Sequence, residues 1–184
     1  TGGTARALSE AGIKVIGISE ITGFPECLDG RVKTLHPNIH AGILAMRSNK
    51  EHMEQIKALG VELIDIVCVN LYPFKQTLLK GAERQECIEN IDIGGPTVIR
   101  AAAKNYQDVA VIVDPEDYNT VIAELKNSGQ VSLDTKFKLC AKVFEHTAAY
   151  DALIASYMLK EAGLNGFRDK LTLTYEKAQD MRYG

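Results

Sequence analysis

Short apolar runs alternate with amphipathic stretches along this chain, and that alternation restricts the fold more than any other feature. Residues 13–18, 63–71 and 109–113 are rich in Ile, Val and Leu and read as strands. The last two are rich in Val and Ile and read as buried strands of a parallel sheet. Helical patterns cover 5–12, 51–59, 83–90, 96–105, 117–127 and 134–162. Gly12, Gly60, Gly129 and Gly163 stand where helices should stop. Pro96 marks one start, and Ser132 or Asp134 caps the long last helix. On that helix Phe137, Ala141, Phe144, Ala148, Ala152, Ala155 and Met158 recur every three or four positions, which predicts one apolar face. Strand–helix alternation predicts an α/β layered fold with a mainly parallel sheet. Residues 19–35 are polar, contain glycine and read as a functional loop. Beyond Gly166 the pattern fades, so 167–184 reads as an exit segment or the start of another unit.

Composition excludes several classes. With 184 residues, 46% of them apolar, the chain can bury a core without disulfides or a structural metal. A net charge of −3 argues against a general nucleic-acid binder but leaves room for a small basic pocket holding a phosphorylated metabolite. No apolar run approaches the roughly 18 residues of a membrane span. The chain opens Thr1-Gly2-Gly3-Thr4, so no signal peptide is expected, and the missing methionine suggests processing or truncation. Cys27, Cys68, Cys87 and Cys140 are scattered and form no Cys-x-x-Cys pair, which excludes a zinc ribbon or redox motif and fits a reducing cytoplasm. Cys68 lies in an apolar run and is expected to be a buried thiol.

Four segments carry candidate chemistry. Thr1-Gly2-Gly3-Thr4 precedes a helix, where glycine backbone N–H groups, two hydroxyls and the helix dipole can hold an anion. Such a loop normally follows a strand, which here would lie upstream of residue 1. In Asp29-Gly30-Arg31-Val32-Lys33-Thr34-Leu35-His36-Pro37, alternation in an extended segment points Arg31 and Lys33 the same way. With Thr34 they suit a phosphate or substrate clamp. His36 and His40 have a helical metal-ligand spacing, but Pro37 interrupts it and no acidic third ligand follows, so a structural or orienting role is expected. Asn70-Leu71-Tyr72-Pro73-Phe74 stands at the carboxyl end of a strand, where parallel sheets bind ligands. Asp92 precedes Gly94 and Gly95 at a helix start, with Lys104 near that helix's end. Asp92 can cap the helix or accept a proton, and the glycines permit close approach of a substrate.

Together, GGTARAL, TGFPE, DGRVKTLHP, HAGILA, NLYPF, IDIGGPT, RAAAKN and FEHTAAYD occur in this order across nearly the whole chain. This series resembles the IMP cyclohydrolase domain of the bifunctional purine biosynthesis family, which pairs that domain with an aminoimidazole-carboxamide ribotide formyltransferase. The resemblance implies a methylglyoxal-synthase-like, three-layer α/β/α fold around a mainly parallel sheet. It assigns residues 1–166 to the cyclohydrolase domain and 167–184 to a linker and the entry to the formyltransferase, the rest of which is absent. The family's first strand, a turn bearing Ser and Lys, a helix and a second strand would precede residue 1, so the domain is expected to be N-terminally incomplete and to lack some phosphate ligands.

The implied reaction is dehydrative ring closure of formamidoimidazole-carboxamide ribotide to IMP. Carried over by position, Thr1, Gly2, Gly3, Thr4, Arg31 and Thr34 would hold the phosphate, and Asn70 would orient the substrate. Lys33 and Tyr72 would act at the reacting groups. Asp92 and Lys104 would form a carboxylate–ammonium pair for proton transfer, and Gly94 and Gly95 would offer backbone donors. A straight helix over 95–104 would set Lys104 about 13 Å along the axis from Gly95, so that pair would need a break, a curve or the long lysine side chain. No metal or cofactor is implied for the cyclohydrolase, and formyl-tetrahydrofolate only for the formyltransferase. A homodimer in the cytoplasm is implied, with no nucleic-acid or membrane partner. The alternative is a non-catalytic methylglyoxal-synthase-like module that binds a phosphorylated ligand. Methylglyoxal synthase itself is a third reading, against which the long last helix and the purine-enzyme motifs speak.

Overall fold

The computed structural model describes residues 2–164, 166 and 169–183. Two compact units form. One comprises the chain up to Tyr72 together with Asp92–Phe144, and the other Pro73–Ile91 with the chain from Glu145 onward.

In the first unit, β1 (Ile66–Cys68) and β2 (Ala110–Ile112) pair in parallel, with Val67 opposite Val111. Their carboxyl ends therefore open on the same side. Side chains alternate across this sheet and so feed two clusters. Val67, Val109, Val111 and Val113 pack with Ile39 and Ile43 of α3 (Pro37–Leu44), Val98, Ile99, Ala102 and Ala103 of α7 (Gly94–Lys104), and Cys140 and Val143 of α9 (Leu133–Glu161). Ala110 and Ile112 point the other way, onto Val121 of α8 (Tyr118–Ser128), Val131 and Leu139. Helices thus cover both faces of β2, which explains why all three of its residues are buried.

Helix ends follow local chemistry. The imidazole Nδ1 of His36 accepts from the Asn38 N–H (3.2 Å) and caps α3, whose first residue is Pro37. Asn49 caps α4 (Lys50–Leu59), which Gly60 ends in the left-handed region. Gly129 ends α8 in the same way. Ser132 Oγ accepts from the Thr135 N–H (3.2 Å) at the start of α9. The C-terminal end of α7 is tied to α3 by the buried Asn105 amide, which donates to the carbonyls of Ile43 (2.8 Å) and Ala45 (3.1 Å).

In the second unit, α5 (Phe74–Leu79) and α6 (Arg84–Glu89) accompany the later part of α9. The Phe74 ring lies edge-on to Tyr150 and Tyr157, and the Tyr150 hydroxyl donates to the Asn90 carbonyl (3.3 Å).

Several expectations change. Residues 13–18 form no strand; Ile13 and Ile16 are exposed, and Ile18 already begins α2 (Ile18–Thr22). A strand needs a neighbour for its ladder, and among the described residues this segment has none. The loop 19–35 holds α2 and a short 3-10 turn at Leu28–Gly30. Cys68 is exposed rather than buried, because in β1 only Val67 faces the covered side. On α9 the buried positions are Leu139, Cys140, Val143, Thr147 and Ala152. Of the expected stripe, Ala152 alone is buried, while Phe137 and Phe144 are exposed, one against the Tyr106 ring and the other beneath the Arg100 guanidinium.

Candidate functional site

The site lies in the first unit, beyond the carboxyl end of β1, where segments distant in sequence meet. Asp92 sits just before α7. Its Oδ1 accepts from the Gly95 N–H (2.8 Å) and its Oδ2 from the Tyr72 N–H (3.3 Å). One carboxylate therefore satisfies an otherwise orphaned donor of the α7 first turn and anchors the chain leaving β1. The packing is close at both glycines, and a side chain at either would force its neighbours to shift. A Cβ on Gly95 would lie 2.6 Å from Asp92 Oδ2 and 2.8 Å from Leu71 Cδ2. A Cβ on Gly94 would lie 2.8 Å from Thr34 Oγ1. Thr34, Leu71, Tyr72, Asp92, Gly94 and Gly95 are thus brought together.

Thr34 arrives on a tight loop. Cys27 and Val32 form an antiparallel bridge, and Leu28, Asp29 and Gly30 between them all have positive φ (54°, 54° and 85°). For Leu28 this left-handed backbone costs about 1–2 kcal/mol, whereas Asp adopts it more readily; such strain is typical of functional loops. Lys33 follows the bridge and ion-pairs with Glu26. Arg31, also on this loop, is exposed.

Asn70 is exposed and hydrogen-bonds the Tyr118 hydroxyl, which also shares a hydrogen bond with Cys68 Sγ (3.4 Å). The bond and charge of Cys68, with burial, push the Tyr118 hydroxyl upward; Asn70 opposes them. Nearby, Lys142 bridges Asp114 (2.7 Å) and Asp117 (2.8 Å). Burial alone would lower its ammonium, and the two carboxylates outweigh that and hold it raised.

Other expected residues stand apart. Thr1 lies outside the described residues. Gly2, Gly3 and Thr4 form the exposed first turn of α1 (Gly2–Glu10), a helix with no buried residue. Lys104 is exposed at the last position of α7, which runs unbroken from Gly94. The helix rise sets it about 15 Å along the axis from the end beside Asp92, so the structure does not bring Lys104 to Asp92. A cavity of about 800 Å³ opens elsewhere, between Ser48, Gln107, Asp108, Glu124, Ser132 and Lys136, and none of the expected residues lines it.

Comparison with known proteins adds the relationship. A model of the MGS-like domain matches residues 1–97, more than half of the chain. The chain belongs to the MGS-like domain family. A model described as the AICARFT/IMPCHase bienzyme matches residues 102–184 of this MGS-like protein. Relatives named bifunctional purine biosynthesis protein PurH match its whole length, at 71% identity in Ruminiclostridium cellulolyticum, 68% in Acetivibrio thermocellus and 60% in Bacillus cereus. The chain spans 36% of the length of those relatives. The crystal structure of ForH superposes with a TM-score of 0.70 at 34% identity, covering 84% of this chain and 81% of that one. Helices on both faces of a small parallel sheet are thus the three-layer α/β/α arrangement of an MGS-like domain.

Two features escaped sequence reading. Glu26, the partner of Lys33, was visible only as part of TGFPE, although pairing across the Asp29-Gly30 turn sets position 26 opposite 33. Tyr118 and its acidic neighbours carried no signal, since only the pairing of β1 with β2 brings residues 68–70 near 114–118.

Proposed function

We propose that this MGS-like domain is an IMP cyclohydrolase closing the second purine ring of formamidoimidazole-carboxamide ribotide. The observation that carries the reading is the convergence of Thr34, Tyr72, Asp92, Gly94 and Gly95 from three separate segments, on a chain whose relatives are purine biosynthesis proteins.

The carboxamide nitrogen attacks the formyl carbon of the same molecule. A C–N bond forms and the formyl oxygen becomes an oxyanion. The carboxamide nitrogen loses one proton and the oxyanion gains one, giving a hydroxyl. The former formamido nitrogen then loses its proton, a C=N bond forms, and the hydroxyl takes a second proton and leaves as water to give IMP. Amide nitrogen is a weak nucleophile because its lone pair is delocalised, so alignment supplies much of the gain. Lys33 and the Tyr72 hydroxyl serve the oxyanion and the departing oxygen as donors, where one good donor is worth about 3–4 kcal/mol. Asp92 is the carboxylate available to accept the nitrogen's proton, while its other duty holds Tyr72 and Gly95 in register. Asn70 orients the substrate, and Arg31, Thr34 and the 1–4 segment hold its phosphate. Lys104 enters only through a rearrangement that carries it toward Asp92. Both reacting groups sit in one molecule, so the step needs no cofactor. Formyl-tetrahydrofolate belongs to the formyltransferase of the longer parent, and a cytoplasmic homodimer completes the proposal.

The test is purified protein with formamidoimidazole-carboxamide ribotide, without folate, followed by ultraviolet absorbance as IMP forms. Turnover that falls about 100-fold or more in Lys33→Ala and Asp92→Ala supports the reading. Ribotide binding by a folded protein without turnover overturns it in favour of a phosphate-ligand binding module.

A further inference from the structure

The Cys27–Val32 bridge fixes a register whose next pair outward is Glu26 with Lys33. Residues directly opposite in an antiparallel pair share a face, with Cβ atoms about 4.5–5.5 Å apart. The Glu26 Oε2 accordingly meets the Lys33 ammonium. Its Oε1 lies 2.6 Å from where a Cβ on Gly30 would stand. The carboxylate therefore fills the space that a side chain at position 30 would need. The Lys33 side chain is 23% exposed and that of Glu26 45%, so the ammonium is half-buried while the carboxylate also reaches solvent. A lysine ammonium swings on a flexible four-carbon stem and has three N–H donors. Glu26 takes one of these donors and restrains the stem.

We propose that Glu26 is the positioning residue of Lys33: through the cross-strand ion pair it aims the ammonium at the reacting formyl oxygen and touches no substrate itself. This rests on the ring-closure reading, because the direction in which Lys33 is aimed has meaning only for that substrate. Thr34, which follows Lys33 and meets Gly94, stays in place when Glu26 is removed if the bridge persists. Phosphate affinity and turnover should then separate.

The experiment compares ring closure by the wild type, Glu26→Gln, Glu26→Ala, Lys33→Ala and the double variant Glu26→Ala/Lys33→Ala. Glu26→Ala is expected to lower kcat about tenfold or more while KM stays within about threefold. Glu26→Gln, which keeps an acceptor at the same reach, should recover part of that loss. The double variant should be no slower than Lys33→Ala alone, because a residue acting through Lys33 has nothing left to act on. A Glu26→Ala kcat within about twofold of wild type overturns the proposal, as does a double variant slower than both single ones. Acylation of the Lys33 amine by an amine-directed reagent, read by peptide mass spectrometry, serves as a measure independent of turnover. The rate should rise several-fold in Glu26→Ala, and an unchanged rate overturns the pairing. If the folded wild type closes no ring, the cyclohydrolase reading and the aim assigned to Lys33 fall together, while faster acylation would still establish the ion pair.

Discussion

Replacing Gly95 with alanine probes the site at its tightest point. Gly95 does not have a positive φ, so the backbone accepts alanine without strain. Helix propensity alone even favours the change, by about 1 kcal/mol. Against this, the new methyl would stand 2.6 Å from Asp92 Oδ2 and 2.8 Å from Leu71 Cδ2. Leu71 can rotate aside, but Asp92 is short and held at both oxygens by the N–H groups of Gly95 and Tyr72. Overpacking of this kind costs about 1–3 kcal/mol. A displaced carboxylate forfeits a charged hydrogen bond worth about 1.5–3 kcal/mol. The net destabilisation is about 3 kcal/mol, a fall in Tm of roughly 6–12 °C for a chain of this size. Gly3→Ala supplies the contrast, because a Cβ there has nothing within 4 Å, and its stability should hold or rise slightly. Thermal unfolding by circular dichroism reads both, and ring closure reads the consequence for Asp92. Equal Tm values for the two variants, with Gly95→Ala at wild-type turnover, would show that the Asp92 clamp is not as tight as these distances require.

Three further outcomes follow from the same physics. Asn105→Ala strips the buried donors from the carbonyls of Ile43 and Ala45 and should cost about 2–4 kcal/mol in denaturant unfolding; a loss under about 1 kcal/mol would contradict it. In native protein a thiol reagent should modify Cys68 first. Cys87 and Cys140 are buried, and burial pushes the Cys140 thiol up, so both should react only on unfolding. Glu124 is held below its ordinary value near 4.5 by the Thr135 hydroxyl and by the Ser132 N–H and hydroxyl. A carboxylate lowered by folding stabilises above its unfolded value and loses that as pH falls through its folded value. Glu124→Gln should therefore lower Tm at pH 7 but converge on wild type in acid, and a pH-independent difference would refute this account.

Elements with both a local start and a local stop were legible in the sequence. Residues 51–59 and 117–127 ended at Gly60 and Gly129 as expected, because a left-handed glycine is a local property. Residues 13–18 were not legible, since β character needs a partner strand and cannot be read from Ile and Val alone. The face of α9 was misread for a different reason. Phe137 and Phe144 lie on one side and Leu139, Cys140 and Val143 on another, and both series have helical spacing. Only the neighbouring sheet and α7 decide which side is buried. Of the candidate site, the motifs singled out Thr34, Tyr72, Asp92, Gly94 and Gly95, and the structure brings these residues together, their roles being those proposed above. The expected pairing of Asp92 with Lys104 does not form, because an unbroken α7 keeps Lys104 at the far end from Asp92.

On the proposed function, the left-handed turn at Leu28, Asp29 and Gly30 sets stability against turnover. Leu28 is 67% exposed, so its apolar side chain does little to compensate its own backbone. Leu28→Gly should relieve about 1 kcal/mol of native strain, though the freer unfolded chain returns part of it. A search for thermostable variants would therefore be drawn toward this turn. The same change would let the loop explore other shapes and blur the placement of Lys33 and Thr34. Variants gathered for heat resistance at positions 28 and 29 should accumulate slower turnover, whereas those gathered for turnover should leave the turn left-handed.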